Sequence, residues 1–593
     1  MAENRKDVPE NLKWDTQCIY KTDDLFDADY KWVEENLDFE KFQGKLGNFE
    51  DFKICVLKID RVTEVLEKLY VYASMKHDED TRNDFYNGMS TRARQLYVKF
   101  SSCVSFMQPE LTSLPDETLI SYIGNEELKD YDYQLKTILK TKSHVLSKET
   151  EKVLALGGQV FGGFREIFGM IDNADLDFPI VKTEDGDVTV THGVYGLLLT
   201  DKNRALREEV FKKYYGAYRK LLNTITATYA GNVNKNVFIA RARNYSSCLS
   251  MALIEEDVDE IVYKNLLDSV NDNIDSLHRY VYQKKNALKL DEMHMWDVYV
   301  PIVEDAEIQL DYEDAFKLVK KGLEPLGSDY QALLQKAHDE GWIDVEETSG
   351  KRSGAYSNGV YAFKHPYVLL NYQKTTSEVF TIAHELGHAT HTYFSNANQP
   401  KNKADYTIFV AEVASTVNEV LLLKYLLRTS DDLKLKKYLL SYYTDMIKGT
   451  LFRQTMFAEF EYTAHDSAEK GIPLTTDFLC SAYLELNKKY YGDGVLSDEE
   501  ISWEWARIPH FYNAFYVYKY ATGIISAISI AERILKEGEP AVKDYKKFLS
   551  SGGSDSPVEL LKIAGVDLTK KDAFNCAMQS FSDAISQFDS IKI

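Results

Sequence analysis

Only six cysteines, at positions 18, 55, 103, 248, 480 and 576, are scattered through 593 residues, and no two form a CxxC pair. That argues against a disulfide framework and predicts reduced thiols in a cytoplasmic protein. There are 12 prolines and no long Pro/Gly/Ser tract, so the structural units are expected to pack together without a flexible linker. Positive charge is also short. Against 93 Asp and Glu stand 70 Lys and Arg, a formal charge of −23, which disfavours nucleic acid as a partner. The first residues, MAENRKDVPENLKWD, contain no apolar core of a signal peptide. An apolar stretch at 520–531 is too short to span a bilayer, so no membrane partner is expected. Internal repeats and low-complexity tracts are missing too.

The chain does have folded-protein composition, with 44% apolar residues, 40 tyrosines and 29 phenylalanines. Its length suggests about three or four domain-sized units. The dominant rhythm is helical. Val258, Val262, Leu266 and Val270, then Ile274, Leu277 and Val281, predict one long amphipathic helix. Similar periodicity runs through 59–72, 130–156, 202–242 and 418–447. Only two regions suggest sheet. At 178–193, Asp185-Gly186 lies between β-branched runs and predicts a surface hairpin, while 350–373 joins a Gly/Ser loop to an extended apolar run. The hairpin is the best boundary candidate. It would close an N-terminal helical domain, residues 1–198, ahead of a larger domain, residues 199–593.

His384-Glu385-Leu386-Gly387-His388 carries the chemistry. Residues four apart on a helix lie one turn above each other, so both imidazoles can face one zinc ion. Glu385 then stands where it can act as general base toward water. A third ligand is needed. The extended HExxHxxGxxH pattern fails, because His occupies 391 and Phe occupies 394. Downstream, FVAEVASTVNEVLLLKYL places Glu412 among apolar neighbours, where a metal is a good partner for a carboxylate. Glu419, seven residues on, reads equally as a residue orienting a ligand histidine and as a salt-bridge partner. His391, two turns beyond His384, reads as a packed histidine or as one supporting a ligand, since a third ligand from one helix is geometrically awkward. Near the C-terminus, ARIPHFYNAFYVYKYATG offers His510, Tyr512, Tyr516, Tyr518 and Tyr520. Tyr512, Tyr516 and Tyr520 are spaced to share a helix face. Such groups suit an oxyanion, and also suit an aromatic core stripe.

These segments resemble the oligoendopeptidase F group of the thimet-type zinc oligopeptidases. HELGHATH is similar to that family's zinc helix, FVAEVASTVNE to its glutamate-bearing segment, and IPHFYNAFYVYKYATG to its histidine–tyrosine segment. LKWDTQCIY, MWDVYVPI and GWIDVEETSGKRSGAYS extend the resemblance over nearly the whole chain. It implies a mainly α fold of two helical halves enclosing a deep substrate channel, with a small β-sheet or edge strand beside the zinc helix. It also implies one Zn2+ per chain on His384, His388 and Glu412, with Glu385 as general base and proton shuttle. His510 with one or two of Tyr512, Tyr516 and Tyr518 would stabilise the tetrahedral intermediate. Alignment from both sides of the segment favours Tyr512 and Tyr518, while proximity also allows Tyr516. The loop at 353–359 would be a flexible active-site loop, and the run His365 to Tyr372 an edge strand pairing with substrate. The implied activity is endopeptidase cleavage of short oligopeptides. The alternatives are a dipeptidyl carboxypeptidase, with Arg352 or Arg507 holding the substrate C-terminus, and an inactive peptide-binding protein. Oligomeric state is left open, a monomer being compatible.

Overall fold

The computed structural model describes residues 4–303, 306 and 308–592. Helices dominate, and the chain forms two compact units, each built from three separate segments. Unit 1 comprises Met1–Ser143, Glu307–Arg428 and Ser526–Asp567; unit 2 comprises His144–Ala306, Thr429–Ile525 and Leu568–Ile593. The units therefore interleave along the chain. The hairpin expected to close a first domain at residue 198 lies inside unit 2. No described helix is long and apolar enough to cross a membrane.

In unit 1 the long helices Phe49–Glu79 and Asp84–Val104 pack together over a core that includes Phe26, Phe52, Leu66, Leu96 and Leu119. Two further helices of this unit, Thr376–Asn398 and Ile408–Thr429, carry the zinc-type motif and Glu412. The second is apolar nearly all round and is correspondingly buried along most of its length. Beside them lies a three-stranded sheet. Its middle strand Tyr367–Leu369 pairs parallel with Ile343–Asp344 and antiparallel with Tyr356–Asn358. This corrects the expectation for 365–372. That run is flanked on both sides, which explains why Tyr367, Val368 and Leu369 are all buried. The edges are Ile343–Asp344 and Tyr356–Asn358, the second drawn from the loop expected to be flexible.

Unit 2 is organised on the helix Arg204–Ala242, whose N-terminus is capped by the Asn203 side chain. It packs against Lys148–Met170, Arg453–Glu469 and the 3-10 segment Glu499–Arg507. The hairpin pairs Ile180–Thr183 with Gly186–Thr189. Three predicted helical runs are interrupted. The run at 258–281 breaks at Asn273, whose side chain donates to the Ser269 carbonyl and so competes with the helix backbone. Ser147 starts a new helix within 130–156, and Asp432 starts one within 418–447, each capping free amides.

Candidate active site

The motif helix begins at Thr375, whose hydroxyl accepts from the Glu378 amide. It places His384 and His388 one turn apart, their Nε2 atoms 3.1 Å from each other. Glu412 on the neighbouring helix brings its Oε2 to 3.4 Å from His384 Nε2 and 3.5 Å from His388 Nε2. Ligands of a tetrahedral ion with bonds of about 2.0–2.1 Å would stand about 3.3 Å apart. Two imidazoles and a carboxylate at this spacing fit a metal ion by donor type and by distance, and among the described residues they form the one such His/Cys/Asp/Glu group.

His384 Nδ1 lies 2.5 Å from Glu419 Oε1. The carboxylate is placed to take the Nδ1 proton and turn Nε2 toward the group's centre, as a residue orienting a ligand histidine would. Burial opposes a charge on His384, but Glu412 and Glu419 outweigh it and raise the imidazole to about 10. Hydrogen bonds from His384 and His388 in turn hold Glu412 well below the ordinary carboxylate range. Glu419→Gln is expected to lower metal affinity about 10- to 100-fold, measured by competition with a chelator. Unchanged affinity would make Glu419 a mere ion-pair partner.

The two helices approach at Gly387. A Cβ added there would meet Ser415 Cα at 2.5 Å and Ala414 O at 2.7 Å. Buried Asn418 donates to the Ala383 carbonyl at 3.0 Å, and Tyr330 bridges Asn418 Oδ1 and Thr390 Oγ1. This polar lock sets the register of Glu412 against the histidines. Sequence reading missed it. Only Gly387 left a trace, because glycine costs roughly 1 kcal/mol relative to alanine inside a helix and so asks for a packing reason.

Glu385 is buried, and its Oε2 has no hydrogen-bond partner. Desolvation raises its pKa. It lines an open cavity of about 430 Å³ together with the three candidate ligands, Tyr406, and Tyr356 and Ser357 of the edge strand. His391 does not reach this cavity. Its ring stacks on Tyr406 at 3.7 Å and meets Phe548, and burial lowers it to about 3.

The histidine–tyrosine segment belongs to unit 2. His510 is exposed in the 3-10 turn Pro509–Tyr512, with its Nε2 3.4 Å from the Tyr520 hydroxyl. Tyr516 stacks beside it at 6.0 Å and meets Tyr520 edge-on. Partial burial, then the Arg453 guanidinium, lowers the His510 imidazole and favours its neutral form. Tyr512 and Tyr518 stand apart from this group. Tyr512 stacks on Phe168 at 4.5 Å with its hydroxyl buried and unpartnered, and the Tyr518 hydroxyl donates to Glu256. The shared face expected of Tyr512, Tyr516 and Tyr520 is not formed, because the helix begins only at Tyr518 and Phe515 turns left-handed ahead of it, at φ 55°.

Comparison with known proteins decides the family. The model of "Peptidase family M3" matches residues 197–580, and that of "Oligopeptidase F" matches residues 110–178. The chain belongs to peptidase family M3. It is 40% identical to the oligopeptidase PepF of Bacillus subtilis over 99% of this chain and 88% of the relative. An oligoendopeptidase F homolog of Lactococcus lactis is 38% identical, with coverage of 100% and 99%. Among solved structures, the oligoendopeptidase-F of Enterococcus faecium is similar at TM-score 0.74 and 36% identity, over 96% of this chain and 99% of that one. A Chlamydophila abortus protein described as a peptidase reaches TM-score 0.93 at 34% identity, covering both chains completely. This M3 chain is thus a metallopeptidase with a His-His-Glu group that can hold its metal.

Proposed function

We propose that this M3 peptidase is a zinc-dependent endopeptidase cutting internal bonds of short oligopeptides, acting in the cytoplasm. One observation carries the reading: Glu385, buried and with one carboxylate oxygen free of any hydrogen bond, lines a cavity together with three converging metal-type ligands. Zinc held by His384, His388 and Glu412 would supply a Lewis acid that polarises a carbonyl and makes water acidic at neutral pH. Glu385 takes the proton from the attacking water and returns it to the leaving amine. Burial aids this, since its raised pKa moves it toward the range useful for a base that must also act as an acid. Glu419 keeps His384 in one tautomer throughout.

The edge strand Tyr356–Asn358 leaves its outer backbone without a partner strand among the described residues. An extended peptide lying along it would gain main-chain hydrogen bonds without a demand for one sequence. Arg352 is paired with Asp78, and Arg507 is held by Glu504 and the Tyr215 hydroxyl. Neither is left as a dedicated holder for a C-terminal carboxylate, which favours internal cuts over dipeptide release.

His510, with Tyr516 or Tyr520 beside it, would donate to the developing oxyanion. His510→Ala is expected to lower kcat about 10- to 100-fold with little change in KM, since a phenol remains to share the load. Steady-state kinetics on an internally quenched oligopeptide checks this. A wild-type kcat would remove His510 from the mechanism.

A further inference from the structure

We infer that Glu461 is a positioning residue that holds the Phe515 turn and thereby sets His510 against Tyr516 and Tyr520. The inference rests on the reading of His510 as an oxyanion donor. Glu461 lies on the helix Arg453–Glu469, is fully buried, and accepts the Phe515 amide on Oε1 at 2.8 Å. Phe515 has φ 55°, a conformation in which a residue with a Cβ crowds its own backbone. It persists only where the surroundings determine it. Here the Phe515 ring is buried between Tyr263 and His465, and its amide is taken by the carboxyl.

The position of this turn gives the contact its consequence. His510 belongs to a turn closed by the Asn513 amide donating to the His510 carbonyl at 2.9 Å. Tyr516 begins the next local structure, its carbonyl accepting from Lys519 at 3.2 Å, while Val517 accepts from Tyr520 at 3.2 Å. Each end is closed by its own backbone hydrogen bonds, and Phe515 lies between them. A change of backbone there swings the two phenols relative to the imidazole.

Among the described residues no cation is ion-paired to Glu461, although the Lys519 charge acts on it through space. Lys519 is ion-paired to Glu256, and His465 donates Nδ1–H to the Glu461 carbonyl while its Nε2 accepts from Asn236. Tyr263 donates to the Ala458 carbonyl, the Tyr229 hydroxyl makes no hydrogen bond, and Glu461 Oε2 has no partner either. Burial pushes this carboxyl up to about 8 against the Phe515 amide and the Lys519 charge, which favours its neutral acid form at neutral pH. What the turn requires is then its acceptor oxygen and reach, not its charge.

Three variants separate these properties in the full-length zinc-loaded protein. Glu461→Gln keeps acceptor and length; Glu461→Asp keeps the acid but withdraws it from the amide; Glu461→Leu removes the acceptor. Kinetics on an internally quenched oligopeptide are measured with zinc content and melting temperature. The expected result is a kcat within about threefold of wild type for E461Q. E461D and E461L should lose about tenfold or more in kcat at unchanged KM and zinc content, because an oxyanion donor acts only in the transition state. Should E461L fail to fold, the contrast between E461Q and E461D carries the test alone. E461D with wild-type kcat, while His510→Ala has lost it, overturns the inference and spares the reading beneath it. His510→Ala with wild-type kcat overturns both.

Discussion

Glu385→Gln is expected to lower kcat/KM by about 10³-fold or more while metal content stays unchanged. Glutamine has nearly the same shape but cannot accept a proton from water at neutral pH. The replaced oxygen makes no hydrogen bond within the protein, so the fold loses nothing with it. The candidate ligands lie on His384, His388 and Glu412, and none of them is hydrogen-bonded through Glu385. A factor of 10³ corresponds to about 4 kcal/mol of transition-state stabilisation, within the range of a positioned general base. Mass spectrometry of peptides up to about twenty residues long, incubated with wild type and variant, reads both rate and cut position. Internal cuts by wild type that vanish in the metal-loaded variant are the expected pattern. Cleavage by the variant within tenfold of wild type would assign the base elsewhere, and stepwise loss of C-terminal dipeptides would make the enzyme a carboxypeptidase.

Gly387→Ala is expected to lower kcat/KM by about 100-fold and the melting temperature by several degrees. In an isolated helix alanine would be the better residue by roughly 1 kcal/mol, so propensity alone predicts stabilisation. Packing reverses the sign. The added methyl would lie 2.5 Å from Ser415 Cα and 2.7 Å from the Ala414 carbonyl, backbone atoms that cannot rotate away. Relieving the overlap means separating the two helices, at a cost of about 1–3 kcal/mol. Glu412 sits only three residues before Ser415, so the separation moves a ligand away from the two histidines. Displacements of about 1 Å at a reacting centre commonly cost a factor of 10². Metal affinity should fall alongside activity. A variant of raised melting temperature and full activity would show that the helices have room at this crossing.

The reading of individual residues shows where sequence sufficed. The spacing of His384, Glu385 and His388 needs only helix geometry, and the valines and alanines adjoining Glu412 in the sequence mark it within one local segment. Most predicted helices exist, since each buries an apolar face whose period is written in its own residues. The errors share a cause. The strand at Tyr367–Leu369 reads as an apolar run, and no local signal says whether a partner lies on one side or two. The tyrosines of 512–520 follow a four-residue period, yet a left-handed Phe515 interrupts it, and its support comes from Glu461, 54 residues away.

Sequence by itself pointed to the site: two histidines and a glutamate that could hold a metal, a second glutamate between the histidines, and a mainly helical body. These follow from residue type and short-range period, which the unfolded chain already contains. Tertiary structure decided what depends on contacts between distant segments. It placed Glu419 against the His384 ring, packed Gly387 directly on Ser415 of the neighbouring helix, and put Tyr356–Asn358 at an edge of the sheet with Tyr367–Leu369 in its middle. It also separated Tyr516 and Tyr520, which stand with His510, from Tyr512 and Tyr518, which do not. A side chain's neighbours across the fold are set by how whole faces pack, and no local pattern specifies them.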